Sequence, residues 1–233
     1  MPLSEQLFPI VILTVKLAGF TTVILLIISM PMAWWMSNLK TGIKRHLRTL
    51  LEAGISLPMV LPPTVLGFYL LLAFSPQYWL GHSWLSLTGS TLAFSFPGLL
   101  VASVIYSLPF VVQPLQRAFE QVDRGMLEAA ATMGSGAVDR FIHIVLPNTR
   151  RTLFLSACMG FAHTVGEFGV VLMIGGNIEG ETRVLSIALF DAVESQRFDI
   201  AHAISAGLVV FSLIVLIILY SLSSLGKQEQ PRC

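Results

Sequence analysis

Charge is scarce in this chain. Asp, Glu, Lys and Arg make up 12% of its 233 residues, against roughly a quarter in a soluble domain. Cysteine is nearly absent: Cys158 sits inside a hydrophobic run and Cys233 at the terminus, which makes no disulfide framework. The five histidines are scattered, without the Cys/His spacing of a metal site. No G-x-x-x-x-G-K-[ST] run exists, since Gly226-Lys227 is followed by Gln228 and lacks the upstream glycine. The chain therefore carries no loop to cradle a nucleotide phosphate. Nor does it hold a nucleophile–base–acid set for an enzyme. A net charge of +1 gives no basic patch for nucleic acid, and no nucleic-acid partner is expected.

Apolar residues fill the space that charge leaves. They are 55% of the chain, with a mean hydropathy of +0.78. Five segments, about 8–36, 53–74, 94–116, 152–174 and 202–225, are long enough to cross a bilayer, which takes roughly 20 residues. The first is too long for a cleaved leader, and Met1 to Phe8 carries no Lys or Arg. Lys16, about two turns into it, can snorkel to the outer headgroups. The expected fold class is an all-α integral membrane protein of about five transmembrane helices.

The few charges are placed unevenly. Lys40, Lys44, Arg45 and Arg48 follow span one; Arg117, Arg124, Arg140, Arg150 and Arg151 follow span three; Lys227 and Arg232 lie in the tail, 226–233. These are eleven of the fourteen basic residues. The loop 75–93 has none, and 175–201 has Arg183 and Arg197. The positive-inside rule then puts the N-terminus outside and the C-terminus inside. The region 117–151 becomes cytoplasmic.

Within that region lies a polar island, EAAATMGSGAVDRFIHIVLP, Glu128 to Pro147. Leu115, Phe119, Val122, Met126, Ala130 and Met133 recur at three- and four-residue steps, one face of a helix. Gly134-Ser135-Gly136 breaks it. A second short helix fits 137–145, closed by Pro147. Helix, turn and helix between two spans make a knob that another protein can grip; the alternative is a solvated loop.

Two spans carry features that plain lipid-facing helices avoid. Pro58, Pro62 and Pro63 fall in span two, where freed backbone groups need partners that lipid does not supply. Pro97, Pro109 and Pro114 repeat the theme in span three. Ordinary kinking or a pathway element would both account for them. In span four His163 and Glu167 are four residues apart and share a helical face. Intramembrane ionisable groups mark pathways or gates by default, and a satisfied packing contact is the alternative. Gly160, Gly166 and Gly169 permit close helix approach there. Asn177–Arg183 reads as a polar turn, and 184–195 as a short amphipathic helix at the outer surface.

The island resembles the loop signature of permease subunits of binding-protein-dependent ABC importers. Glu128, Ala129, Ala130, Gly134, Ile144, Leu146 and Pro147 occupy all its positions. Other runs resemble molybdate-type permeases: LTVKLAGFTTVILL near the start, SLPMVLPPTVLGFYLL at 56–71, Gly166-Glu167-Phe168-Gly169, and Gly180-Glu181-Thr182-Arg183. The likeness covers roughly 10–225. One departure is that some members carry a further N-terminal span, for which this chain has no residues. The resemblance implies a type I importer fold over 8–225, with 117–151 as a cytoplasmic helix-turn-helix coupling loop. It implies a second copy of the chain, a cytoplasmic ATPase dimer seated on the island, and an extracytoplasmic oxyanion-binding protein, in the cytoplasmic (inner) membrane of a bacterium. ATP and Mg would be held by the ATPase, and no cofactor by this chain. Pro58, Pro62, Pro63, His163, Glu167 and Phe168 are the candidate pathway or gate residues. The substrate implied is molybdate, with tungstate or sulfate/thiosulfate as the alternative. An ion-driven secondary transporter would predict internal repeats and paired mid-membrane acids, neither of which is visible. A membrane anchor would leave the proline-rich second span unexplained.

Overall fold

In a computed structural model, residues 3–39 and 43–225 are described. Lys40, the tail 226–233 with Lys227 and Arg232, and Cys233 lie outside the described residues, as does the side chain of Lys44. Among the described residues the chain is helical throughout. The order is α1 (Leu3–Ser37), α2 (Ile43–Val60), α3 (Pro63–Phe74), α4 (Trp79–Thr88), α5 (Phe96–Glu120) and α6 (Arg124–Thr132). Then follow α7 (Ala137–Arg140), a π-helical turn (Phe141–Val145), α8 (Leu146–Gly166), α9 (Gly169–Gly175), α10 (Leu185–Glu194) and α11 (Phe198–Leu225).

α1, α5 and α11 are each long and apolar enough to cross a membrane. Two more spans result if each of two bent pairs counts as one: α2 with α3, bent by 108°, and the α7–α8 stretch with α9, bent by 60°. The apolar runs at 53–74 and 152–174 thus correspond to broken elements rather than straight helices. Their ends also differ. α2 starts ten residues before 53, and α8 starts at Leu146 rather than at 152.

α1, α5 and α8 pack together at the centre. One apolar cluster forms at the α4 end, from Leu17, Leu99, Val170, Val171, Ile174 and Ile187. A second forms at the other end, from Leu25, Met36, Val111, Val112, Leu115, Phe119 and Val145. Burying such side chains is worth roughly 1.5–3 kcal/mol each in water; within lipid the gain comes from close packing instead. Gly160 makes the packing possible, since a Cβ there would stand 2.9 Å from Val111. α11 leaves Val209, Val210, Leu213, Ile214 and Ile217 exposed. That is the pattern of a helix that meets lipid rather than water.

Two expectations about the loop after α5 are corrected. The apolar face from Leu115 to Met133 is not one helix. α5 stops at Glu120, because the Asp123 side chain accepts from the Gly125 N–H at 2.8 Å and caps a new helix there. Leu115, Phe119 and Val122 are buried, whereas Met133 is 87% exposed. Pro147 does not close a helix either. It lies in the first turn of α8, where its missing N–H costs little. The π turn before it supplies the extra room: the Leu146 N–H reaches back to the Phe141 carbonyl.

Candidate functional site: an exposed coupling knob and a broken-helix cavity

The knob is built by capping. α6 ends in a Schellman arrangement: the Gly134 N–H donates to Ala131 O and the Ser135 N–H to Ala130 O, both at 3.0 Å. Gly134 has a φ of +86°, which a residue with a Cβ adopts at a cost. α7 starts again after Gly136. Ser135 donates to Asp139, and His143 pairs with Asp139 at 2.7 Å. The Ser135 hydrogen bond holds the Asp139 carboxyl below its usual value; desolvation opposes this and His143 assists it. The carboxyl's folded value is depressed, so this local support is present at neutral pH and lost as pH falls through it.

No residue of α6 or α7 is buried. Glu128 and Ala129 are exposed, whereas Ile144 and Leu146 are half-buried at the root of the knob. The seven signature positions therefore divide into a presented part and an anchoring part. Phe141 stands 5.7 Å from Trp34 on α1 and 5.8 Å from Phe119 on α5, ring centre to ring centre. Arg140 reaches the Leu127 carbonyl at 3.4 Å and ties α7 to α6. Glu128 lines a cleft of about 490 Å³ with Trp34, Asn38, Arg124 and Arg140. A force on the knob thus meets α1 and α5 directly.

The second constellation lies where both broken spans bend. Pro62 (ψ 133°) precedes α3 and Pro63 opens it. Glu167 (ψ 132°) and Phe168 form the α8–α9 elbow. The elbows touch: a Cβ on Gly169 would stand 2.6 Å from Pro63 Cβ, and one on Gly67 2.7 Å from Met173 Cβ. Gly166, by contrast, has open space around it, so the close approaches are at Gly160 and Gly169. A cavity of about 590 Å³ is lined by Pro63, Tyr106, His163, Gly166, Glu167 and Phe168 among others. Pro58 and Pro62 do not line it; Pro58 is buried inside α2 and Pro62 is exposed at the bend. α8 ends at Gly166, so His163 and Glu167 share the cavity rather than one helical face.

Glu167 is 4% exposed, and among the described residues neither carboxylate oxygen meets a partner in good hydrogen-bond geometry, although the buried Ser103 hydroxyl, itself without one, lies close by. Its backbone carbonyl accepts from Ser186 Oγ at 2.6 Å, which pins the elbow to α10. His163 is held otherwise. Its Nδ1 is 2.9 Å from Ser107 Oγ, which lies 3.2 Å from Thr164 Oγ1, and Thr164 donates to Gly160 O. The ring stacks on Phe110 with centroids 3.9 Å apart.

Two polar clusters escaped the sequence reading. Arg48 pairs with Glu52 at 2.7 Å and with Glu120 at 2.8 Å; Gln116 donates to Glu52 at 2.6 Å, and Gln113 to Ser56 at 2.8 Å. This ladder joins α2 to α5. Its signal was the four-residue spacing of Arg48, Glu52 and Ser56 against the three- and four-residue spacing of Gln113, Gln116 and Glu120. The other cluster uses both basic residues of 175–201. Arg183 and Arg197 each donate to Asp191 Oδ2 at 2.8 Å, and Arg183 also reaches Asn177 Oδ1 at 2.8 Å.

Comparison with known proteins agrees with this geometry. Residues 26–227 match the family model described as "Binding-protein-dependent transport system inner membrane component". The chain is 49% identical, over 95% of its length and 96% of the relative's, to the "Molybdenum transport system permease protein ModB" of Azotobacter vinelandii. It is 33% identical over 72% of its length, and 75% of the relative's, to the protein of the same name in Escherichia coli (strain K12). A "Sulfate transport system permease protein CysT" of that organism is 33% identical over 76% of this chain but 64% of its own. Among solved structures, a crystal structure of a bacterial alginate ABC transporter, in complex with an alginate pentasaccharide-bound periplasmic protein, superposes with a TM-score of 0.73. It covers 94% of this chain and 79% of that one at 18% identity, a likeness of fold. This multi-pass membrane protein, with its Glu128–Pro147 signature folded as a presented knob, belongs to the family of inner membrane components of binding-protein-dependent transport systems.

Proposed function

We propose that this chain is the permease subunit of an ATP-driven molybdate importer. Two copies form the pathway, an ATPase dimer grips the Glu128–Pro147 knobs, and an oxyanion-loaded binding protein docks on the opposite face. The chain binds neither ATP nor Mg; the ATPase subunits hold both. The N-terminus lies outside and the C-terminus inside, so the knob is cytoplasmic. The observation that carries this is the knob itself: a helix, a glycine-capped turn and a helix with nothing buried, rooted by Phe141 in α1 and α5. The 49% identity to a molybdenum permease supports the substrate. Sulfate is the second reading, favoured by the 33% identity to a sulfate permease.

Mechanically, ATPase closure moves the knob, and the knob moves α1 and α5. The two elbows are the compliant points, since bends at Pro62–Pro63 and Glu167–Phe168 already interrupt the helical hydrogen bonding. Alternating access then requires the broken spans to swing relative to the α1–α5–α8 core.

The test is reconstitution of the chain with the ATPase and binding protein in liposomes. ATP-dependent molybdate uptake, absent without the ATPase, is the expected result. Uptake of sulfate alone would transfer the reading to sulfate. A reporter inserted at Ser135 should be cytoplasmic and one at Ser90 external; the reverse would overturn the orientation.

A further inference from the structure

The elbow cavity does not stand alone. A second cavity, of about 340 Å³, lies along the same face of α5 and α8 and is lined by Met59, Phe110, Gln113, Arg117 and Met159 among others. The two follow one another in register. On α5 the first takes Tyr106 and the second takes residues from Pro109 to Ala118; on α8, which runs the other way, the first takes Ala162, His163 and Gly166 and the second Thr152 and Met159. The α2–α3 bend follows the same order, giving Met59 to the second cavity and Pro63 to the first. Three separate elements therefore agree on one line.

Tyr106, Phe110, Gln113 and Arg117 fall at steps of four, three and four, a single stripe of α5. The stripe spans eleven residues, about 16 Å at 1.5 Å per residue. One ring contact joins the two cavities. His163 lines the first, Phe110 lines the second, and their rings stack face to face at 3.9 Å with 29° between planes. Tyr106 also touches His163, with centroids 5.0 Å apart and the rings tilted by 46°. The stack is a wall one ring thick.

The wall is held in place on one side. Thr164 gives its proton to the Gly160 carbonyl. Ser107 can then donate to Thr164, and His163 Nδ1–H to Ser107, so that every donor in the chain is used once. That arrangement fixes the imidazole plane against Phe110. It leaves Nε2 free of the relay. No comparable tie holds Phe110, whose side chain turns about two bonds. The geometry therefore contains one fixed leaf and one movable leaf.

We propose that the Phe110–His163 stack is the constriction that divides the oxyanion's path through this subunit into an outer and an inner compartment. The inference rests on the importer reading and on its orientation. Phe110 is the moving leaf; His163, held by Ser107, is the stop it closes on. The compartments differ in what they offer an anion. The outer one offers an anion the Tyr106 hydroxyl as a donor beside the buried Glu167, whereas His163, with its proton given to Ser107, presents only the accepting Nε2. The inner one has Gln113 and the exposed Arg117, which makes no ion pair within 4 Å among the described residues, though it shares a neighbouring cleft with Glu52 and Glu120 and helps to stabilise the Glu52 carboxylate. An anion that passes the ring meets Arg117 about two turns further in, a charge partly offset by Glu52, so the inner compartment attracts the anion without gripping it.

Thiol labelling in the assembled importer tests this, using a chain whose Cys158 and Cys233 are replaced by alanine. Ala162→Cys marks the outer compartment and Gln113→Cys the inner. In the resting complex a charged, membrane-impermeant thiol reagent added outside should modify position 162 and spare position 113. Phe110→Ala, and separately His163→Ala, should speed external labelling at 113 by at least about tenfold, about 1.4 kcal/mol off the barrier to entry. Phe110→Leu, which keeps bulk, should not. His163→Ala removes the other leaf, so the test survives if Phe110→Ala fails to assemble. Equal external labelling of 113 and 162 in the parent chain would overturn the proposal, as would unchanged labelling at 113 in both alanine variants. If 162 were instead labelled only from inside and 113 only from outside, with the alanine variants merging them, the wall would stand and the orientation would fall. Loss of ATP-dependent uptake in the parent chain would count against the importer reading itself.

Discussion

Gly134 shows how much one residue carries. Its φ of +86° lets Gly134 and Ser135 close the end of α6. A β-branched residue there pays roughly 1–3 kcal/mol for the backbone conformation. Since the site is exposed and outside the spans, Gly134→Val should insert and fold its membrane part normally. The ATPase should co-purify with it poorly, and uptake should drop in parallel; normal co-purification would refute the role. This residue was legible in the sequence because glycine at a helix end has one main use. Met126 and Met133 were not legible in the same way. Their three- and four-residue spacing continued the buried face of α5, but the Asp123 cap interrupts the register, and both are exposed. Periodicity does not detect a cap that falls in phase. Glu167 is a third case. Its rarity in a span flagged it, yet no sequence pattern could reveal that its carboxylate oxygens lack partners in good hydrogen-bond geometry. An ionised carboxylate in the elbow cavity would repel an anion by about 4 kcal/mol per charge pair at about 4 Å and an effective dielectric near 20. In its ionised form Glu167 is therefore not expected to be an anion ligand. Glu167→Gln, which keeps the shape, should retain most uptake. Glu167→Ala should lose more, because it empties the buried space that the side chain fills at the elbow, although the Ser186 bond to the backbone carbonyl remains. Abolition by Gln with normal assembly would mean the charge is required.

Among the elements, α2 is only partly held by apolar packing, through Leu51 and Ile55. Ile43, Leu50, Leu57 and Val60 are all exposed, and the Arg48–Glu52–Gln116–Glu120 ladder does much of the holding. The proline cluster announced the break between α2 and α3, because proline both ends one helix and starts the next. The ladder went unread, because its partners are over 60 residues apart along the chain. Half-exposed ion pairs are worth roughly 0.2–1 kcal/mol each. In a chain of this size about 1 kcal/mol moves the melting temperature by roughly 2–4 °C. Arg48→Ala and Glu120→Gln should each lower the thermal midpoint of the purified permease by about 2 °C. Combined, they should lower it by less than the sum, as expected of groups that touch. Full additivity would mean that the two side chains do not hold α2 together.

At the scale of the molecule, the distribution of charge sets the division of labour. Both basic residues of the segment 175–201 are spent on Asp191, and Lys16 lies 5.0 Å over the ring of Phe96. Arg48 is spent on Glu52 and Glu120. Neither cavity on the path gathers more than one cation, and the outer one has none among its named lining residues. A tetrahedral dianion held tightly needs several charge-assisted hydrogen bonds at once. A path without them suits transport, since an ion must leave as readily as it enters. Selectivity should then follow the binding protein and not this chain. With one permease–ATPase complex, a binding protein loaded with tungstate should drive uptake at the rate seen with molybdate. The two dianions share shape and charge, and neither meets a selective site in the membrane. The purified permease without its binding protein should show no saturable molybdate binding in equilibrium dialysis at micromolar concentrations. Rejection of tungstate after normal docking and ATP hydrolysis would place a selective oxyanion site inside the membrane. The one-cation path drawn along Tyr106, Phe110, Gln113 and Arg117 would then be the wrong route.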